Sequence, residues 1–179
     1  GGFTSAGAWS RKGLARLSGS DGSLDAGFDP VTTGLAPVTV NAMVLVPGGS
    51  TLLIGGGFAE IKAGVPTRNL AGVSVWGATS GELSWSFHGG LSDDAGNVAV
   101  HAIALQNGAV LAGGEFVTPW SANIARFSAA GDYDTGFRPP APSGAVYALA
   151  VQEDGRIVMG GEFSGGALAR DYLARLNED

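Results

Sequence analysis

The chain has 179 residues, 45% hydrophobic and 15% charged, a balance that folds around a core and does not stay disordered. Its formal net charge of −6 gives no electrostatic footprint for DNA, RNA or an anionic membrane. It has no cysteine, which excludes disulfides and thiolate metal sites, and no run approaches the ~18 apolar residues of a membrane span.

In chain order, one unit recurs. Gly1-Gly2-Phe3 reads as the end of a strand, strand b, and Leu14-Ala15-Arg16-Leu17 reads as strand c. A glycine turn, an apolar residue, a short polar residue and Phe then make a short strand d, from Gly22 to Phe28. An alternation of β-branched and polar residues around Ala42 begins strand a, with Val40 and Asn41. After Gly48-Gly49 the full strand b runs from Leu52 to Phe58 and ends in Gly-Gly-x-Phe.

Strands c and d return at Leu70–Val73 and Gly81–Phe87, and a at Val100-His101-Ala102. Strand b follows at Val110–Phe116, c at Ile124–Phe127 and d at Gly131–Phe137. A last a, b and c occupy Val146-Tyr147-Ala148, Ile157–Phe163 and Leu173–Leu176. Asn107-Gly108 and Asp154-Gly155 supply positive φ for two-residue hairpin turns between a and b. The period of roughly fifty residues suits four short strands per unit.

An all-β chain of four-stranded antiparallel units without helical periodicity points to a β-propeller or partial propeller of three to four repeats; a β-sandwich is the alternative. The expected repeats span about 1–34 (partial), 35–96, 97–144 and 145–179 (partial) of a single repeat domain. This reads as a fragment of a longer array, or as a chain that self-associates through its end blades. Placing Phe116 opposite Ala125 and Phe163 opposite Ala174 predicts cross-strand pairs Glu115–Arg126 and Glu162–Arg175. Arg16 then faces Gly2 and needs another acceptor, Asp21 or Asp25.

The strings DGSLDAGF (Asp21–Phe28), VQEDGRIVMGGEF (Val151–Phe163) and LARLNED (Leu173–Asp179) resemble the bacterial delta-60 repeat. That resemblance implies propeller units and, commonly, large exported proteins at the cell surface or outside the cell; it implies no reaction.

Several signals for chemistry have structural explanations. Gly55-Gly56-Gly57 recurs at the ends of apolar strands and lacks the helix and Lys of a phosphate loop, so backbone crowding explains it. The turn Asp21-Gly22-Ser23-Leu24-Asp25 invites calcium, but its later copies never assemble a ligand set, and such residues close turns onto their own backbone. His88 and His101 lie on different elements, and Asp93-Asp94 stands apart, so no catalytic set and no cofactor site is assembled. Trp76 and Trp85 fall in the divergent middle unit, where packing between blades is expected.

The b-to-c connections vary most and carry Trp9, Arg11 and Lys12, then Lys62 and Arg68, then Trp120, then Arg170 with Asp171. Variable loops on a rigid scaffold are where recognition is usually placed, and Trp can stack on a sugar or anchor a partner protein; the alternative for Trp9 and Trp120 is an indole folded back over the adjoining blade, since large aromatics are usually substantially buried. The candidate binding residues are therefore Trp9, Arg11, Lys12, Arg68, Trp120 and Arg170, for a protein or carbohydrate ligand. The expected function is a non-catalytic recognition or scaffold module. The alternative is a glycan-active hydrolase or lyase using a propeller face. Against it, the departing middle repeat loses its Glu and Arg, whereas an enzyme would gain acids and bases.

Overall fold

The computed structural model describes residues 1–30, 32–33, 38–61, 65–67, 69–75, 81–86, 91, 98–164 and 169–178. Lys62, Arg68, Trp76, His88, Asp93 and Asp94 lie outside the described residues, and Trp85 is described in its backbone alone. Two compact units, Gly1–Ser86 and Phe87–Asp179, divide the chain. The first holds β1 (Ser5–Ala6), β2 (Trp9–Ser10), β3 (Thr32–Thr33), β4 (Thr39–Leu45), β5 (Thr51–Gly57), β6 (Glu60–Ile61), β7 (Val65–Pro66), β8 (Leu70–Ser74) and β9 (Leu83–Ser86). The second holds β10 (Ala99–Gln106), β11 (Ala109–Val117), β12 (Ala122–Phe127), β13 (Val146–Val151), β14 (Ile157–Gly161) and β15 (Leu173–Leu176).

In the first unit β4, β5, β8 and β9 form one antiparallel sheet in that order, the a, b, c and d strands of a blade. The second unit repeats a-b-c twice, as β10-β11-β12 and β13-β14-β15. Elsewhere strand d contracts to one bridge against c, at Leu17↔Leu24 and again at Phe127↔Tyr133. The fold is all-β, built from the antiparallel blades of a β-propeller. Asn107-Gly108, at φ 50° and 86°, joins Gln106 to Ala109 in the tight turn expected. Asp154-Gly155 does not: only Gly155 takes positive φ (79°), inside a longer loop closed by the N–H of Gln152 on the carbonyl of Arg156 at 2.8 Å.

The Gly-Gly pair has a steric cause. In every described copy strand a carries a bulge opposite it, between Val40 and Ala42, Val100 and Ala102, and Val146 and Ala148. A Cβ on Gly56, Gly114 or Gly161 would stand 1.9, 2.0 or 2.0 Å from the carbonyl oxygen of Thr39, Ala99 or Ala145. Only glycine fits there. The bulge turns its extra residue outward, and that residue is Asn41, His101 or Tyr147.

The b-to-c register corrects the sequence expectation. Ala125 pairs with Ala112 and Ala174 with Met159, not with Phe116 and Phe163. The cause is a left-handed residue just before each strand c: Gly13, Asn69, Asn123 and Tyr172, with φ of 74°, 74°, 64° and 61°. At three of them the N–H bonds the carbonyl of the strand-b Phe, as Gly13 to Phe3, Asn69 to Phe58 and Tyr172 to Phe163, each at 2.9 Å. The Asn69 and Asn123 side chains also accept the N–H of Phe58 (2.8 Å) and Phe116 (3.3 Å). The inserted kink lies beyond what an unbroken ladder predicts, so the Glu115–Arg126 and Glu162–Arg175 pairs do not form.

Two of the strand-c arginines, Arg16 and Arg126, instead hold strand d. Arg16 meets Asp25 at 2.7 Å, one of the two acceptors expected for it, and Arg126 meets Asp134 at 2.7 Å. Each guanidinium lies over the Phe that ends its own d segment, Phe28 at 4.7 Å and Phe137 at 4.6 Å. Each aspartate caps its turn, Asp25 accepting the N–H of Gly27 (2.9 Å) and Asp134 that of Gly136 (3.0 Å). The far nitrogen of each arginine reaches the neighbouring blade of its own unit, donating to the carbonyls of Val75 and Glu178, just past β8 and β15. Arg16's hydrogen bond, first among the causes, holds Asp25 below the ordinary 3.8. Burial pushes Asp134 up, but its bonds to Arg126 and the Gly136 N–H outweigh this and leave its pKa lowered.

Beneath each clasp lies one core. In the first unit Leu14 and Phe28 meet Val40, Ile54, Phe58 and Ala71; in the second Ile124 and Phe137 meet Val146, Met159, Phe163 and Ala174. The two sets occupy the same positions of the repeat. Each buried Phe contributes roughly 1.5–3 kcal/mol of transfer free energy.

Candidate functional site

Two kinds of position present side chains that the framework does not need: the b-to-c connections and the bulges of strand a. The first connection is a hairpin, β1 against β2, turning at Gly7 with φ 60°. It carries Trp9, 53% exposed. Arg11 stands behind the indole, its Cζ 5.9 Å from the ring centroid, and is itself buried. Its guanidinium donates to the carbonyls of Ser10 (2.7 Å) and Ala26 (3.2 Å) and meets Asp29 at 3.4 Å. Arg11 thus braces the hairpin on the segment after Phe28. Exposed Lys12 lines a small cavity of about 80 Å³ with Ser10, Arg11 and Asp29.

In the second unit the shorter connection turns at Thr118–Ser121. The Thr118 hydroxyl oxygen accepts the N–H of Trp120 (3.2 Å) and of Ser121 (2.9 Å). Trp120, 38% exposed, rests its inner edge on Tyr133 at 5.3 Å, and Tyr133 stacks on Phe127 at 4.7 Å. Burial raises the Tyr133 phenol to about 12. Arg170 is exposed and donates to the carbonyl of Ala169 at 2.9 Å. The structure therefore sets Trp9, Arg11 and Lys12 together, Trp120 on an aromatic stack of its own, and Arg170 on the surface; Arg68 is outside the described residues.

The Asp-rich turns close on themselves. Asp21 accepts the N–H of Ser23 at 3.0 Å and its hydroxyl at 2.8 Å, which lowers the Asp21 pKa, the backbone bond first. In the later copy the Ser128 hydroxyl takes the same part, accepting the N–H groups of Ala130 and Asp132 at 3.1 and 3.3 Å.

At the bulges of the second unit the residues are not neutral fillers. His101 and Tyr147 lie ring against ring, centroids 4.9 Å apart at 53°. Glu115 stands 4.0 Å from His101 Nε2, and the Tyr147 hydroxyl donates to Glu162 at 3.2 Å. Sequence reasoning found no catalytic set for His101 and gave both glutamates to arginines. The usable signal was the polar residue breaking the strand-a alternation at Asn41, His101 and Tyr147.

Fold and surface together define a propeller-type repeat domain whose framework is constant and whose loops and bulges vary. A family described as a domain of unknown function (DUF5122) beta-propeller matches residues 105–137 and 152–179, the b, c and d strands of one repeat and the b and c strands of the next. A search of the curated proteins finds no match.

Proposed function

We propose that the chain is a non-catalytic recognition module of an exported or cell-surface protein, and that it reads a carbohydrate or protein ligand with the aromatic tips of its b-to-c connections. The observation that carries this is the exposure of Trp9 on a hairpin braced by a buried arginine, within a repeat whose other parts are held constant. A large exposed aromatic on a rigid support presents contact area at little entropic cost on binding. Trp120 supplies a second such tip in the other unit; Lys12 lies on the Trp9 connection, and Arg170 is a charged residue on the last connection.

A glycan array and a panel of extracellular proteins, probed with the parent chain and with Trp9→Ala and Trp120→Ala, tests the reading. The two substitutions together should weaken ligand capture, while Trp9→Ala shifts unfolding by no more than about 0.5 kcal/mol. Loss of several kcal/mol with Trp9→Ala, as truncation of a core aromatic produces, would make the residue packing. Turnover of any polysaccharide would replace binding with catalysis.

A further inference from the structure

The two bulges of the second unit build a patch with one chemical character. Glu115 is half-exposed, Tyr147 is 43% exposed, and among the described residues neither Glu115 nor Glu162 has a lysine or arginine within ion-pair distance. The Tyr147 hydroxyl spends its proton on Glu162, which leaves its oxygen as an acceptor. The Tyr147 phenol is raised above its ordinary value by desolvation first, then by its bond to Glu162 and by the charges of Glu162 and Glu115. The ring contact of His101 with Tyr147, the approach of Glu115 to His101 and the Tyr147–Glu162 bond join the four residues into one patch. Its acceptors are carboxylate and phenol oxygens beside the electron-rich faces of two rings. A complementary ligand must donate several hydrogen bonds, carry positive charge and lie flat.

We propose that His101, Glu115, Tyr147 and Glu162 form a binding site for a guanidinium group, the side chain of an arginine on a partner polypeptide. The planar fork of a guanidinium has five donors, matches carboxylates and stacks on an aromatic ring, whereas an ammonium is a compact, strongly hydrated charge. The repeat shows that the framework does not require these residues. The copy in the first unit carries Asn41 at the bulge and Gly57 in place of the glutamate, on the same strand pairing. The site is independent of the Trp9 and Trp120 tips.

The test titrates the full chain with a blocked Gly-Arg-Gly peptide, with its citrulline twin, which keeps the shape without the charge, with its lysine twin, and with calcium. Resonances of the His101 and Tyr147 rings report the binding. The arginine peptide should shift both rings, more strongly at low salt, while the citrulline peptide does not and the lysine peptide binds more weakly. Glu115→Gln and Glu162→Gln should each weaken binding about fivefold, and the pair by more than about tenfold. Tyr147→Asn, the substitution for which the first unit gives precedent, should abolish the ring shift with an unchanged thermal midpoint, and Trp9→Ala with Trp120→Ala should leave the binding intact. Equal binding of the citrulline or lysine twin, wild-type affinity in the double glutamine variant, or a response to calcium with none to the arginine peptide overturns the proposal.

Discussion

The two units carry the same frame and display different surfaces. Each has a Gly held against a strand-a carbonyl, a core built on Phe28 or Phe137, and an arginine clasp that binds strand d to strand c. At the bulges, however, the first unit has Asn41 and Gly57, and the second has His101 with Glu115 and Tyr147 with Glu162. The middle repeat also lacks a clasp of its own: Gly72 and Ser84 stand at the positions of Arg16 and Asp25 in the first repeat and of Arg126 and Asp134 in the third. Both partners are absent together, which is what a structural pair predicts, though the partner of the arginine is the strand-d aspartate and not the strand-b glutamate. Positions that hold the blade together repeat, and positions that point away from it diverge.

The comparison breaks most readily at the glycines. Gly161→Ala drives a Cβ into the Ala145 carbonyl and should cost about 3 kcal/mol or more, whereas at Gly160 the nearest atom to a Cβ is 3.6 Å away and alanine should cost less than about 1 kcal/mol. Chemical denaturation of the two variants side by side measures the difference. Equal effects would refute the steric account of the motif.

Next come the clasps. Arg126→Ala removes bonds to Asp134, Gln106 and the Glu178 carbonyl and should destabilise by about 2 kcal/mol. Arg16→Ala should cost less, because Arg16 is 33% exposed against 16% for Arg126. Lysine at position 126 should not restore stability, since it cannot bond the aspartate and both carbonyl-bearing partners in one plane. Rescue by lysine would reduce the clasp to simple charge.

The same clasps set a pH dependence. Asp25 and Asp134 titrate below the ordinary 3.8 when folded, so the stability they contribute is present above that value and is lost as the pH falls through their depressed values. Asp134→Asn should flatten part of this acid slope in thermal melts. At the other extreme the Tyr133 phenol, raised from 10.0 to about 12, contributes stability that is complete below pH 10 and is lost as the pH rises toward 12. Tyr133→Phe should remove that alkaline loss.

The smallest effect is a gain. Tyr172 holds φ 61°, a region costly for a bulky residue, at a position where two other repeats use Asn and one uses Gly. Tyr172→Asn should stabilise by about 0.5–1 kcal/mol, with a matching rise in thermal midpoint. A fall would show that the tyrosine ring makes a contact worth more than the strain.

Strand identities were legible in the sequence because each blade reuses the same apolar alternation and the same turn chemistry. Leu52–Phe58, Leu70–Val73 and Gly81–Phe87 foreshadow β5, β8 and β9 to within a few residues. The b-to-c register was not legible, because one left-handed residue shifts the whole ladder and Tyr172 is a residue no local rule assigns to that conformation. The sequence left two fates open for Trp9, an exposed loop tip or an indole folded back over its blade, and the structure exposes it; the burial of Arg11 beneath it was not legible, since nothing local marks a guanidinium that will bond the Ala26 carbonyl and meet Asp29.

By itself, then, the sequence determined an all-β chain of four-stranded repeats, the tight turn at Asn107-Gly108, and that Arg16 would need Asp21 or Asp25 as its acceptor. All of these are set by period, turn residues and the matching of charges a few positions apart. Tertiary structure alone decided that the Gly-Gly pair faces a bulge, that the arginines bind strand d and the neighbouring blade, and that His101, Glu115, Tyr147 and Glu162 share one patch. Those facts depend on backbone approaches of a few ångströms between strands far apart in sequence, where a single inserted residue changes which side chains meet.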